Sequence, residues 1–148
     1  SGILEHSYTF AGMPIATAGA NAVVKYIIDN DIVALSAKNG AILLQKLKDA
    51  LGDIPAVGDI RGIGMLAGVE LVSDRESKTP FDPKLGIAGK IAAYCLDKGL
   101  MVLSGVTGTS DGIVGDALQI SPALTMTPEE MDVAIAILRE AIISVTAI

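Results

Sequence analysis

A short turn near the start of the sequence carries the residues best suited to bind a ligand. Residues 6–14 read HSYTFAGMP and continue into an alanine-rich segment. The hydroxyl of Thr9 and nearby backbone amides could hold a phosphate, because the start of a helix carries partial positive charge and unpaired N–H groups. Thr9 could equally be an ordinary residue at the start of a helix. The turn by itself leaves both interpretations open.

Two predicted helices follow this turn. Pro14 suits the first position of a helix, where its missing N–H costs nothing, and the small residues at 16–22 predict a helix that packs closely against a neighbour. The polar residues 29–31 interrupt the pattern and can cap a second helix. The predicted buried stripe of the second helix is Val33, Ala37, Gly40, Leu44, Leu47 and Leu51.

Two more helices are predicted further along the chain. Asp82 and Pro83 have the character of a cap and a first helical residue, and Gly99 ends that helix. Its predicted buried face is Ala88, Ile91, Ala92, Cys95 and Leu96. Thr127 and Glu130 form a capping box, with Pro128 at the first position of the last helix. Its predicted buried face is Met131, Ala134, Leu138, Ala141 and Val145.

Strands are predicted between these helices. Residues 64–72 alternate in a period of two, residues 100–103 form a short apolar run, and residues 118–121 alternate again. A glycine-rich loop at 105–115 separates the last two. The order predicts an α+β fold, in which helices cover one side of a small antiparallel or mixed sheet of three to four strands. A long packing helix precedes this unit.

Composition excludes several classes of function. The net charge is −6, the pI is about 4.6, and the lysines are scattered, so nucleic acid is not an expected partner. No apolar run reaches the ~20 residues that a membrane span needs. Cys95 is the single cysteine, which fits a reducing compartment, and we expect a cytoplasmic protein. His6 is the single histidine, so no metal site is predicted.

Four segments together carry a family resemblance. Residues 6–14 (HSYTFAGMP), 59–71 (DIRGIGMLAGVEL), 98–102 (KGLMV) and 118–132 (LQISPALTMTPEEMD) resemble, in the same order, motifs of class III aminotransferases, which use pyridoxal phosphate. The resemblance covers nearly the whole chain. It implies the C-terminal segment of a fold-type I enzyme, with the phosphate-binding turn and interdomain helix at residues 1–30 and the small domain at residues 31–148.

The resemblance also implies the partners of this segment. The parent enzyme would move an amino group between an amine or amino acid and a 2-oxo acid, and it would be a homodimer with active sites at the subunit interface. The chain begins with Ser1 rather than methionine, and we expect its own large domain to be missing. The family's cofactor-binding lysine lies in an upstream motif that does not appear here. The isolated segment is therefore expected to be inactive.

Two site residues follow from the resemblance. Thr9 would bind the cofactor phosphate of the neighbouring subunit, and Tyr8 would help to form the wall of that subunit's substrate pocket. No residue of this chain is assigned a catalytic role, while Arg61, Gly62 and Gly64 are assigned to structure. Many relatives carry an arginine for a substrate carboxylate in the strands after Gly99, but this chain has Ser104 and Gln119 in that region.

Other interpretations remain open at this point. The chain could be a binding or dimerisation module that shares the fold and performs no chemistry. It could also belong to an aminomutase, racemase or decarboxylase of the same family. Residues 62–67 loosely match a dinucleotide-binding fingerprint, but a strand pattern follows where that motif requires a helix.

Overall fold

The computed structural model describes residue 2, residues 8–105 and residues 115–147. These residues form two compact units, Ser1–Val33 and Ala34–Ile148. The first unit contains helix α1 (Pro14–Asp29). Helix α2 (Ile32–Leu51) begins just before the boundary, and all other elements belong to the second unit. His6, part of the turn motif and most of the predicted glycine-rich loop lie outside the described residues.

Helix α1 has no buried residue. It begins at Pro14, as predicted, and an ion pair between Lys25 and Asp29 (2.6 Å) links its last turn. Its exposed large apolar side chains are Ile15, Val23, Val24, Tyr26 and Ile28. A helix that is apolar on several sides gains most of its stability in water from packing rather than from helix propensity.

The second unit is built on an antiparallel sheet. Strands β1 (Val57–Ile63), β2 (Leu66–Leu71), β3 (Leu103–Ser104) and β4 (Asp116–Ile120) lie in the order β1-β2-β4-β3. Every neighbouring pair is antiparallel, which confirms the predicted α+β class. In β2 the side chains of Ala67, Val69 and Leu71 are buried while Leu66 and Glu70 are not, so one face of the sheet covers the core.

Two strand predictions were wrong. Strand β1 was not predicted, because its glycines and its charged residues Asp59 and Arg61 hide the alternation. It forms because Gly64, at a positive φ of 52°, turns the chain so that β1 pairs with β2. The predicted strand at residues 100–103 is reduced to Leu103–Ser104, since residues 100–102 make no ladder with β4.

The buried face of α2 differs from the predicted stripe at its N-terminal end. Val33 and Ala37 are exposed, whereas Gly40, Leu47 and Leu51 are buried as predicted and Leu43 joins them. Buried Asn39 donates a hydrogen bond to the Met126 carbonyl (3.1 Å). This bond turns the face that contains residues 39, 40 and 43 towards the core.

The last two helices complete the core. Asp82 accepts a hydrogen bond from the Lys84 amide (2.9 Å) and caps a single 3-10 turn, Pro83–Leu85. Helix α3 (Ile87–Asp97) therefore begins later than predicted, and the predicted burial of Leu96 was wrong. Helix α4 (Pro128–Thr146) has the predicted capping box. Its buried residues are Met131, Ile135, Leu138, Ala141 and Ile142.

Candidate functional site

Thr9 lies in a compact turn that precedes α1. The Ala11 amide donates to the Tyr8 carbonyl (2.9 Å), and the Met13 amide donates to the Phe10 carbonyl (3.2 Å). Gly12 has a φ of 75°, which only glycine adopts without strain. These two overlapping turns expose the Thr9 side chain, and its hydroxyl has no hydrogen-bond partner among the described residues.

The start of α1 has amides that no side chain caps. Met13 occupies the cap position with extended backbone, but its side chain has no acceptor, and the first turn contains no acidic residue. Thr17 does not act as a cap, since its hydroxyl donates to the Met13 carbonyl (2.9 Å). Thr9 precedes the cap by four residues. The structure thus gives Thr9 no role in starting the helix.

The Thr9 hydroxyl and the uncapped amides of α1 could bind one side of an anion. A phosphate accepts hydrogen bonds, and the turn offers a hydroxyl and uncapped helical amides without a competing carboxylate. The residues present therefore fit one side of a phosphate site. A phosphate dianion has more acceptor positions than these groups can fill, so a complete phosphate site needs further donors.

Tyr8 is the second predicted site residue. It directly precedes Thr9, and 68% of its surface is exposed. A phenol in this position can contribute an apolar face and a polar tip to a pocket that a second body of protein closes. Its role in a substrate pocket stays a prediction.

The lysines of the chain lie in water rather than in a pocket. Seven are exposed, and Lys46, which is half-buried, forms an ion pair with Asp132 (2.5 Å). Lys98 lies over the ring of Tyr94, 5.7 Å from its centroid, and pairs with Glu140 at 3.6 Å. A lysine that forms a covalent bond to a carbonyl compound must lose its proton at neutral pH, which desolvation promotes. None of these surroundings removes a lysine from water in this way.

Arg61 is held by two carboxylates. It donates to Asp59 (2.7 Å) on β1 and to Glu70 (2.8 Å) on β2. The hydrogen bond from Arg61 lowers the pKa of the Asp59 carboxyl, and Glu70 followed by Asp59 raises the pKa of the Arg61 guanidinium. The three side chains cross-link neighbouring strands, which agrees with the structural role predicted for Arg61.

The two glycines next to Arg61 also have structural roles. A Cβ on Gly62 would lie 2.6 Å from the Leu66 carbonyl oxygen, and Gly64 forms the turn between β1 and β2. Helix α2 approaches this turn so closely at Gly40 that a Cβ there would overlap the Gly64 backbone. The dinucleotide interpretation is therefore wrong, because these glycines form a β-hairpin and contact a helix.

The strands after Gly99, in which a carboxylate-binding arginine was considered, contain no basic residue. Gln119 on β4 donates to the Ser121 hydroxyl (3.3 Å), and Ser104 pairs with Leu118 in the sheet. The sequence contains no lysine, arginine or histidine between Lys98 and Arg139. No arginine from this segment can therefore bind a carboxylate.

Two further features concern metal and membrane binding. Across residues 8–105 and 115–147, no three His, Cys, Asp or Glu side chains are grouped so that they could hold a metal ion. In the same residues no helix has the length and apolar character required to cross a bilayer. Cys95 is fully buried, and burial raises the pKa of its thiol, as expected for a core residue.

Comparison with known proteins identifies the family. Residues 2–142 match the family described as aminotransferase class-III. An aminotransferase of Gibberella zeae is 37% identical over 97% of this chain and 28% of its own length. Diaminobutyrate–2-oxoglutarate transaminase of Halomonas elongata is 32% identical over 98% of this chain and 29% of its own length.

A similar result comes from solved structures. A transaminase from the marine bacterium Virgibacillus matches 99% of this chain and 32% of its own, with a TM-score of 0.86 and 29% identity. An (S)-enantioselective omega-transaminase from Thermomicrobium roseum matches 97% of this chain and 30% of its own, with a TM-score of 0.82 and 30% identity. The architecture is that of a segment of fold-type I transaminases. The chain belongs to the class III aminotransferase family, and it spans about 30% of the length of these relatives.

Proposed function

We propose that this chain is the C-terminal part of a pyridoxal phosphate-dependent aminotransferase. The parent enzyme transfers an amino group between an amine or amino acid and a 2-oxo acid. The observation that supports this proposal best is the family match over residues 2–142, which includes all four sequence motifs. The name of the Halomonas relative, which pairs diaminobutyrate with 2-oxoglutarate, supports the same reaction type.

Within this proposal, Thr9 binds and orients the cofactor. Its exposed hydroxyl donates to the phosphate, and the uncapped amides at the start of α1 favour the negative charge on it. Tyr8 covers part of the substrate pocket and restricts the access of water to it. In this proposal the parent is a homodimer, and both residues contribute to the active site of the neighbouring subunit. Pyridoxal phosphate supplies the electron sink of the reaction when it is bound.

The remaining parts of the chain have a supporting role. Residues 1–30 carry the phosphate-binding turn and the helix between domains, and residues 31–148 form the small domain. The cofactor-binding lysine belongs to the missing large domain, and the exposure of the lysines in this chain supports that inference. The 148-residue chain alone has no transaminase activity. Its single thiol fits a cytoplasmic enzyme.

An activity measurement on two proteins tests this function. The full polypeptide encoded by the reading frame that contains these residues is purified with pyridoxal phosphate, as is the 148-residue chain. Both are assayed for loss of a 2-oxo acid in the presence of a panel of amines and amino acids. We expect turnover by the full polypeptide only. A full polypeptide that binds the cofactor and racemises or decarboxylates amino acids without transamination would contradict the proposal.

The role of Thr9 is tested by substitution in the full polypeptide. We expect Thr9→Ala to weaken cofactor binding roughly 10- to 100-fold, because a hydrogen bond to a charged acceptor contributes about 1.5–3 kcal/mol. Thr9→Ser keeps the hydroxyl and serves as the control. Affinity is measured by titrating the apoprotein with pyridoxal phosphate. Equal affinity of the Thr9→Ala variant and the unmodified protein would remove Thr9 from the phosphate site.

A further inference from the structure

An asparagine followed by a glycine lies in helix α2, at Asn39 and Gly40. The backbone nitrogen of the glycine can attack the side-chain carbonyl carbon of the asparagine before it, and glycine favours this attack because it has no Cβ to hinder the approach. The other two asparagines, Asn21 and Asn30, are followed by an alanine and an aspartate. Residue 39 therefore has the sequence most prone to lose its amide group.

This reaction needs only water as a co-reactant. The Gly40 nitrogen bonds to the side-chain carbonyl carbon of Asn39, the bond from that carbon to the amide nitrogen breaks, and ammonia leaves with the proton that the Gly40 nitrogen loses. Water then opens the resulting succinimide ring. Opening at the side-chain carbonyl gives aspartate, and opening at the main-chain carbonyl gives isoaspartate, in which the main chain runs through the former side chain.

The folded structure immobilises both reacting groups. Asn39 is buried, and its side-chain amide donates a hydrogen bond to the Met126 carbonyl (3.1 Å). Gly40 lies inside α2, where its N–H donates to a carbonyl one turn earlier. Ring closure requires the chain to leave helical geometry at residue 39. The close approach of Gly40 to the Gly64 backbone, where even a Cβ would overlap, leaves no room for that change.

Conversion of Asn39 also removes a contact within the core. An aspartate carboxylate has no N–H to donate to the Met126 carbonyl, and a buried carboxylate that faces a carbonyl oxygen is strongly unfavourable. Isoaspartate adds a main-chain atom to α2 beside the contact between Gly40 and Gly64. We propose that Asn39–Gly40 is a deamidation site that the fold protects, and that its modification when α2 opens prevents the chain from regaining its native packing. This inference does not depend on the proposed transaminase function.

Deamidation rates in the folded and the unfolded chain test the protection. The 148-residue chain is kept in mildly alkaline buffer, with and without enough urea to unfold it, and mass spectrometry of its peptides follows the conversion of each asparagine to an acid. In urea we expect residue 39 to convert faster than Asn21 and Asn30, and Gly40→Ala to slow this conversion. Without urea, conversion at residue 39 should be at least about tenfold slower than in urea, because only locally opened molecules react. Equal rates at all asparagines in urea would overturn the proposal, as would equal rates at residue 39 in the two solutions.

Refolding and an aspartate variant test the effect of the modification. Chains incubated in urea are diluted into buffer, folded molecules are separated by size-exclusion chromatography, and we expect chains converted at residue 39 to be depleted from the folded fraction. Asn39→Asp should have a lower urea midpoint than the unmodified chain, or should fail to fold. Asn21→Asp adds the same charge at an exposed position on α1 and should leave the midpoint unchanged. An Asn39→Asp variant with the midpoint of the unmodified chain would overturn the proposal, as would converted chains that refold as well as unconverted ones.

Discussion

At the scale of single residues, backbone contact between α2 and the β1–β2 turn depends on Gly40. The helix can approach the turn only because position 40 has no Cβ, since a Cβ would overlap the carbonyl of Gly64. Both groups involved are backbone, so neither can move without displacing a helix or a hairpin. Close packing makes such overlaps costly throughout protein interiors.

This contact leads to a prediction for the isolated chain. Gly40→Ala should lower the free energy of unfolding by about 2–3 kcal/mol or more, because it forces the helix away from the turn. Gly89→Ala is a matched control, since Gly89 lies in α3 and a Cβ there meets no atom within 4 Å. The control should raise stability by roughly 0.5–1 kcal/mol through helix propensity. Urea unfolding measures both variants, and a neutral Gly40→Ala variant would contradict the packing described here.

A second residue-scale prediction concerns pH. Arg139 on α4 donates two hydrogen bonds to Asp53 (2.6 and 2.8 Å) and a third to the Ala50 carbonyl near the end of α2. The hydrogen bond from Arg139 lowers the pKa of the Asp53 carboxyl. Because the folded pKa lies below the unfolded value of about 3.9, the pair contributes stability above that pH and loses it as the pH falls through the folded pKa.

We therefore expect Asp53→Asn to be less stable than the unmodified chain at neutral pH and to approach it as the pH falls below ~4. Asp97→Asn is the control, because Asp97 has no arginine partner among the described residues. The measurement is the urea midpoint of each chain at several pH values. A difference for Asp53→Asn that stays constant from neutral to acidic pH would show that the charge of Asp53 is unimportant.

At the scale of elements, α4 shows why local signals predict some boundaries well. Thr127 accepts a hydrogen bond from the Glu130 amide (3.3 Å), and Glu130 accepts one from the Thr127 amide (2.8 Å). Both bonds join residues three apart, so the pattern that forms them is visible in the sequence. Strand β1 is the opposite case, since its pairing depends on β2 and on the turn at Gly64.

The capping box gives a prediction for the stability of α4. Thr127→Ala should lower the free energy of unfolding by about 1 kcal/mol, because the Glu130 amide loses its acceptor. Thr127→Ser retains the acceptor and should lose less. Both are measured by urea unfolding of the 148-residue chain. Equal stability of the two variants would mean that the side-chain cap does not contribute.

At the scale of the whole molecule, exposed apolar surface is concentrated in the first unit. Helix α1 has no buried residue, and the turn before it exposes Tyr8 and Phe10. The second unit, in contrast, contains a continuous core of side chains from strands β1, β2 and β4 and from helices α2, α3 and α4. An apolar helix without a partner favours association between molecules.

We expect the 148-residue chain to self-associate through α1. Val23→Lys, at a position 59% exposed on α1, should shift the chain towards monomer, whereas Val133→Lys, at a similarly exposed position on α4, should not. Light scattering over a range of concentrations measures the mass of each. A strictly monomeric chain at every concentration would contradict this prediction, as would an equal effect of the two substitutions.

The sequence alone determined the family, the α+β class, the start of α1 at Pro14 and the capping box of α4. These depend on local motifs or on the alternation in β2, which need no knowledge of distant residues. The candidate site was predicted as a turn around Thr9, and its cofactor role stays a prediction.

Strand β1, the buried face of α2 and the apolar cleft between α2, β4 and α4 could be found only from the tertiary structure. The stripe on α2 was displaced because Asn39 bonds to Met126 and Gly40 contacts Gly64, and both contacts join residues far apart in sequence. The apolar cleft of about 250 Å³ likewise forms where side chains from α2, β4 and α4 meet. Periodicity reports which residues share a face of one element, but it carries no information about which element that face will meet.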